Sequence, residues 1–263
     1  MPTSDTNIDD AAQAFAALRA NNGQGPHPAA PATLADAYRV QFALERLLVG
    51  KGLSTIGWKI GATNAGARAM FKREAPFLGR LYAEMTSSSP ATLPAAPGFY
   101  RAYEAEIVLE LCADLDARAG AIDAAQVRAA TRAVAPAIEM VGGWVPVAGP
   151  NGAYGLIADY AGHGCWILGA PISDFAKLDL LEAPVAFSLD GEQKAAGKGA
   201  NVDGGPFGAT AWLANELGKM GRKLKAGEYV TTGTAIAPVP FAGEGRTAVA
   251  DFGALGKVQV RIG

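Results

Sequence analysis

Two carboxylates one residue apart, Glu104 and Glu106, lie in the run YEAEIVLEL from Tyr103 to Leu111. Strand alternation puts Ile107, Leu109 and Leu111 on one face, and Glu104, Glu106 and Glu110 on the other with Val108 among them. A third acid, Glu139, stands alone in the apolar run APAIEMVGG, residues 135–143. A carboxylate in apolar surroundings needs a cation or hydrogen-bond donors to keep its charge; otherwise it takes up a proton. Acids on two such segments suggest a shared cation. Three carboxylates suit a hard divalent ion, Mg2+ or Mn2+, that keeps some of its waters. Zinc fits less well, because the chain has two His and its two Cys show no paired spacing. The competing reading of Glu104 and Glu106 is a solvated strand edge, the usual fate of charged side chains.

Lys59 is the candidate for proton transfer. It lies in TIGWKIG, between Trp58 and Ile60. Either burial lowers its pKa into a range suited to proton transfer, or its long side chain reaches out to water. Other chemistries lack their signatures. There is no GxSxG and no HExxH, and GLSTIGWKIG places Trp58 between its second glycine and the lysine, so it is no phosphate loop. GKGANVDGG at 197–205 is glycine-rich without dinucleotide spacing.

These residues need a scaffold, and the composition allows one. The chain has 263 residues, 50% hydrophobic and 18% charged, which is ample for a buried core. Its 23 basic and 25 acidic residues leave a net charge of -2, so there is no electrostatic footprint for nucleic acid. Small molecules and further copies of the chain are the expected partners. Cys112 and Cys165 read as reduced core residues. The start, MPTSDTNIDD, has no signal-peptide pattern, and no apolar run approaches the roughly 20 residues that span a bilayer. A soluble cytoplasmic protein is the simplest expectation.

Helical patterns are expected at 10–20 and, capped by Thr33, through Ala37, Val40, Leu44 and Leu47 to Gly50. Between them a Gly- and Pro-rich linker carries His27 as a solvated loop residue. Short strand-like runs follow at 55–61, 104–112, 136–141, 165–168, 184–189, 229–232 and 257–262, with helices at 123–134 and 207–219. Strands do not alternate regularly with helices, so a strand-rich α+β core fits better than a Rossmann domain. The organisation reads as a helical region, 1–55, and a catalytic domain, 56–263.

Taken together, these motifs resemble the fumarylacetoacetate hydrolase superfamily, and more closely its 2-keto-4-pentenoate hydratase and 4-oxalocrotonate decarboxylase branch. The likeness runs through ADAYRVQ (35–41), GWKIG (57–61), GRLYAEM (79–85), the E-x-E of YEAEIVLEL and AIEMVGG (137–143). It continues through ADYAGHG (158–164), GPFGATAWLANEL (205–217), VTTGTA (230–235) and ADFGALGKVQV (250–260). The resemblance implies a mixed β-sandwich roll with flanking helices and a small N-terminal helical region, assembled as a homo-oligomer. It implies that Glu104, Glu106 and Glu139 bind Mg2+ or Mn2+ and that Lys59 is the active-site lysine. Asp159 and Thr232 fall in segments that line the pocket in relatives, whereas Glu110 lies outside the motif and is expected to be solvated or salt-bridged.

The implied chemistry is a 2-oxo acid chelated through a carboxylate oxygen and the 2-oxygen, with the metal stabilising an enolate. A hydratase of a 2-oxo or 2-hydroxy dienoate is the leading expectation. A carbon–carbon hydrolase of a diketo or oxo acid and a decarboxylase share the same core, and a non-catalytic metabolite-binding or partner subunit is the rival of another class. This chain departs from the branch in several places. Phe77 stands where relatives carry an Asp, and Asp159-Tyr160-Ala161-Gly162-His163 replaces a D-N-A-S pattern. Gly143 and Trp144 replace an S-R pair, and Lys198 stands in the family's G-R-G. Phe77, Tyr160, Lys198 and Thr232 are therefore expected to shape an aromatic, bulkier substrate pocket, with His163 in place of the missing Asp as proton relay.

Overall fold

The computed structural model describes residues 5–96, 98–145 and 153–263. Two helices come first, α1 (Asp5–Ala20) and α2 (Leu34–Gly50). The Thr33 hydroxyl accepts from the Asp36 amide at 3.0 Å and so begins α2 as its cap. Then come β1 (Thr55–Gly61), α3 (Ala65–Met70), β2 (Phe77–Tyr82), β3 (Thr86–Ser88), β4 (Ala91–Leu93) and β5 (Tyr100–Leu111). The middle of the chain forms α4 (Ala124–Ala129), β6 (Thr131–Gly142), α5 (Tyr154–Ala158), β7 (His163–Leu168), β8 (Pro184–Leu189) and β9 (Glu192–Lys198). It closes with α6 (Gly205–Lys219), β10 (Tyr229–Thr234), β11 (Val239–Pro240), β12 (Thr247–Asp251) and β13 (Lys257–Ile262).

The larger sheet has the order β2-β1-β10-β5-β6-β7-β3, with β11 also paired to β5; the smaller runs β4-β13-β12-β8-β9. Directly paired residues share a face. Lys59 pairs with Thr231, Thr231 with Val108 and Val108 with Ala135; nearby, Glu104 pairs with Glu139 and Glu139 with Trp166. One face of the sheet therefore carries the lysine and the acids. The sheet rolls until β2 touches β7, wrapping that face around Leu81, Val108, Ala135, Ala137 and Trp166. Ile107, Leu109 and Leu111 point the other way, into a core shared with Leu213 and Leu217 of α6 and with the smaller sheet. The result is an α+β mixed roll with flanking helices. α1 and α2 pack on each other and, through Phe15 and Leu44, against Tyr82 and Tyr160.

Two expectations fail. The helix expected over 123–134 stops at Ala129, because Thr131 starts a strand that pairs with β5 along its length. Pro136, unable to continue a helix, sits in that strand opposite Ile107. Cys165 is buried as expected, but Cys112, one residue past β5, is exposed.

Candidate metal centre and its cavity

Oxygens of Glu104, Glu106 and Glu139 lie within 4.8 Å of one another. β5 supplies the first two at positions two apart, and the register with β6 sets Glu139 opposite Glu104. Glu106 and Glu139 are fully buried, while Glu104 reaches a cavity of about 780 Å3 that Lys59 also lines. Two donors hold Glu106 Oε2: the Thr231 hydroxyl, and the Gly233 amide at 3.1 Å. Glu139 Oε1 accepts from Lys59 Nζ at 2.6 Å and meets His163 Nδ1 at 3.1 Å. Among the described residues, Glu106 Oε1 and Glu139 Oε2 are buried without a hydrogen-bond partner. An all-oxygen donor set with unanswered buried oxygens fits a hard divalent cation.

Packing the acids together shifts their proton affinities. Burial and the neighbouring Glu139 push Glu104 up to about 7. Burial, then Glu139 and Glu104, raise Glu106 well above the carboxylate range. Burial alone would also raise Glu139, but Lys59 and His163 more than offset it and hold it low. Lys59 corrects the expectation of a lowered pKa. Burial does act downward, yet Glu139, Glu104 and Glu106 together raise it, so Lys59 is a cation beside the acids. His163 is pushed down chiefly by burial, against the pull of Glu139. A carboxylate only accepts, which assigns the imidazole proton to Nδ1 and leaves Nε2 as the acceptor.

The remaining expected residues separate into those inside the cavity and those outside it. Phe77 lines the cavity, stacked edge-on against Phe71 with ring centroids 5.4 Å apart. His163 lies behind Glu139, outside the cavity lining, so it touches a carboxylate of the centre and not the cavity. Asp159 is salt-bridged to Arg19 of α1, whose guanidinium also donates to the His163 carbonyl at 3.0 Å. Tyr160 is buried among the N-terminal helices, 5.2 Å from the Tyr82 ring, with Arg19 stacked 4.4 Å over it. The backbone turns there through a left-handed run, with φ of 54°, 56° and 72° at Tyr160, Ala161 and Gly162. That turn carries the Tyr160 ring away from the cavity, while Ala161 lines it. Trp144 packs on Phe99. Lys198 is on the surface, paired with Glu182 at 2.9 Å. Glu110 is salt-bridged to Arg132, one of the two outcomes expected for it.

Thr232 is one residue off. Its hydroxyl donates to the Ile107 carbonyl at 2.8 Å, whereas Thr231 bonds Glu106 and Thr234 lines the cavity. A register shift in β10 between Thr231 and Thr234 puts both of those opposite β5 on the site's face. Gly233, with φ of 100°, allows the bend. Sequence reading also missed Arg101, which lines the cavity, and Arg19, whose partner lies 140 residues away. The rest of the lining is largely apolar, with Met70, Phe71, Leu156, Ile236 and Pro238.

No protein-family model matches the chain. It is 34% identical over 217 residues to a 2-hydroxyhexa-2,4-dienoate hydratase of Comamonas testosteroni, covering 80% of this chain and 79% of that one. It is 31% identical over 232 residues to a 2-keto-4-pentenoate hydratase of Burkholderia vietnamiensis, covering 88% and 86%. Among solved structures, the 4-oxalocrotonate decarboxylase of Pseudomonas putida G7, complexed with magnesium and adipate, superposes with a TM-score of 0.89 at 25% identity over 99% of both chains.

Proposed function

The chain belongs to the 2-keto-4-pentenoate hydratase and 4-oxalocrotonate decarboxylase branch of the fumarylacetoacetate hydrolase superfamily, and on that premise we propose a divalent-metal-dependent lyase that hydrates a 2-oxo or 2-hydroxy dienoate. The observation that carries this reading is the trio Glu104, Glu106 and Glu139, with unanswered oxygens, beside Lys59 at the wall of a largely apolar cavity. When bound by these acids, Mg2+ or Mn2+ supplies Lewis-acid stabilisation of negative charge on the 2-oxygen of a chelated oxo acid.

The chain's own residues have distinct parts in this reading. In this reading Lys59, its Nζ on Glu139 Oε1 at the cavity wall, is the group that exchanges a proton with the substrate. Thr231 and the Gly233 amide fix Glu106, and His163 fixes Glu139. Phe71, Phe77, Leu156 and Ile236 bind the conjugated tail and exclude water around it. Asp159, taken up by Arg19, anchors the segment that carries His163. The same reading takes the protein as a cytoplasmic homo-oligomer acting on a small-molecule oxo acid, without nucleic acid or membrane partners. Among the described residues no helix is long and apolar enough to cross a membrane.

A decarboxylase has support of its own in the full-length fit to one, and release of carbon dioxide instead of a hydrated product would establish it. The shared chemistry is tested first by calorimetry with oxalate, which mimics the chelating end of a 2-oxo acid and has no tail. The expected result is binding that requires Mg2+ and disappears in Glu106→Ala. Oxalate that fails to bind the wild type at saturating Mg2+ would sink the 2-oxo acid reading and leave a non-catalytic subunit as the better account.

A further inference from the structure

Among the described residues, one cation on the cavity wall, Arg101, has no carboxylate partner. Pairing between β5 and β6 slips between Tyr100 and Ala102, so strand alternation breaks at Arg101. Bulges of this kind re-aim side chains, and here Arg101 and Ala102 both border the cavity that holds Glu104 and Lys59. Arg101 Nε and Nη2 donate to the Gly143 carbonyl at 3.2 and 2.8 Å, and Nη2 also donates to the Val145 carbonyl at 2.8 Å. These acceptors are neutral. Arg19, Arg80 and Arg222 each meet a carboxylate, but among the described residues no carboxylate pairs with Arg101. The segment after Val145, residues 146–152 (PVAGPNG), contains no acid. A guanidinium stays charged at any working pH; the two carbonyls take its Nε hydrogen and both Nη2 hydrogens, which leaves Nη1 to donate to a carboxylate. Clamping it by two carbonyls pre-pays the ordering of a long side chain.

We infer that Arg101 is the specificity-determining residue for a second carboxylate, at the far end of the substrate's tail. The substrate class becomes an unsaturated 2-oxo or 2-hydroxy dicarboxylic acid: one carboxylate at the three-glutamate centre, an unsaturated chain along Phe71, Phe77 and Ile236, and the other carboxylate on Arg101. This rests on the metal-chelate reading above. The test is calorimetry at saturating Mg2+ with 2-oxoadipate and 2-oxohexanoate, equal in chain length and differing in the terminal carboxylate, and with oxalate as the tail-free probe. Wild type is expected to prefer 2-oxoadipate by about tenfold or more, the usual scale of a hydrogen-bonded charge pair. Arg101→Met is expected to abolish the preference, and Arg101→Lys to restore part of it. Equal binding of the two oxo acids by wild type, or a preference that survives in Arg101→Met, overturns the assignment. So does an Arg101→Met protein that loses oxalate as well, because Arg101 would then act only by holding residues 143–145 in place. Failure of all three probes on wild type would instead sink the metal-chelate reading, whereas tight oxalate without dicarboxylate preference sinks only the role of Arg101.

Discussion

His163 and Lys59 converge on one oxygen, Glu139 Oε1, at 3.1 and 2.6 Å. Their roles differ because their charges differ. Lys59 is cationic and lines the cavity; His163 is neutral, fully buried and behind the carboxylate. An imidazole that orients a metal-binding carboxylate through one nitrogen acts on affinity, and losses of such partners cost about 10–100-fold in metal binding. His163→Ala is therefore expected to weaken Mg2+ binding by that factor in calorimetry, while kcat at saturating Mg2+ falls much less. His163→Gln, which can still donate to Glu139, is expected to recover part of the affinity. A collapse of kcat with unchanged Mg2+ affinity would return His163 to direct proton transfer, the role its sequence position suggested.

At the scale of elements, the bend in β10 decides which threonine serves the centre. Thr231 donates to Glu106 and so favours its charged form; Thr232 spends its hydroxyl on the Ile107 carbonyl. Thr231→Val keeps the shape and removes the donor, which lets protons compete harder with the metal. It is expected to weaken Mg2+ binding about tenfold near neutral pH, whereas Thr232→Val leaves affinity alone and costs about 1 kcal/mol in urea unfolding. Equal effects on affinity would refute this division of labour. The same element shows what the sequence could and could not reveal. The alternation of β5 is legible, and with it the separation of Glu104 and Glu106 from Ile107 and Leu109. Register is not, because it is set between strands far apart in the chain, so the sequence points to Thr232 where the structure uses Thr231. The sequence around Tyr160 points it into the pocket, but a left-handed turn and the stack under Arg19 carry it elsewhere. The Arg19–Asp159 pair joins α1 to the segment before β7 and has no local signature.

For the whole molecule, the roll forces two raised carboxylates to sit beside a third, and this couples folding to protons and to metal. Glu104, pushed up to about 7, and Glu106, also raised by burial and the neighbouring acids, keep protons in the native state that the unfolded chain releases near 4.5. Between those values the native state binds more protons than the unfolded one, so these two groups subtract stability as pH rises through the window when no metal is bound. His163, held below its ordinary 6.5, works in the opposite sense below that value. Glu139 is lowered and Lys59 raised, so their contributions change outside the window. Mg2+ must displace the carboxylate protons to bind, and its stabilising effect grows as they leave. In thermal unfolding, Mg2+ at about 100 times its Kd is expected to raise Tm by roughly 5–10 °C at about pH 8. At the same Mg2+ concentration the shift near pH 5.5 should be a small fraction of that, because protons hold the site. In Glu106→Gln, one charged ligand is gone, and the shift at pH 8 should shrink toward the acid value. A wild-type shift that is the same at both pH values would mean that Mg2+ stabilises the fold somewhere other than the three-glutamate centre.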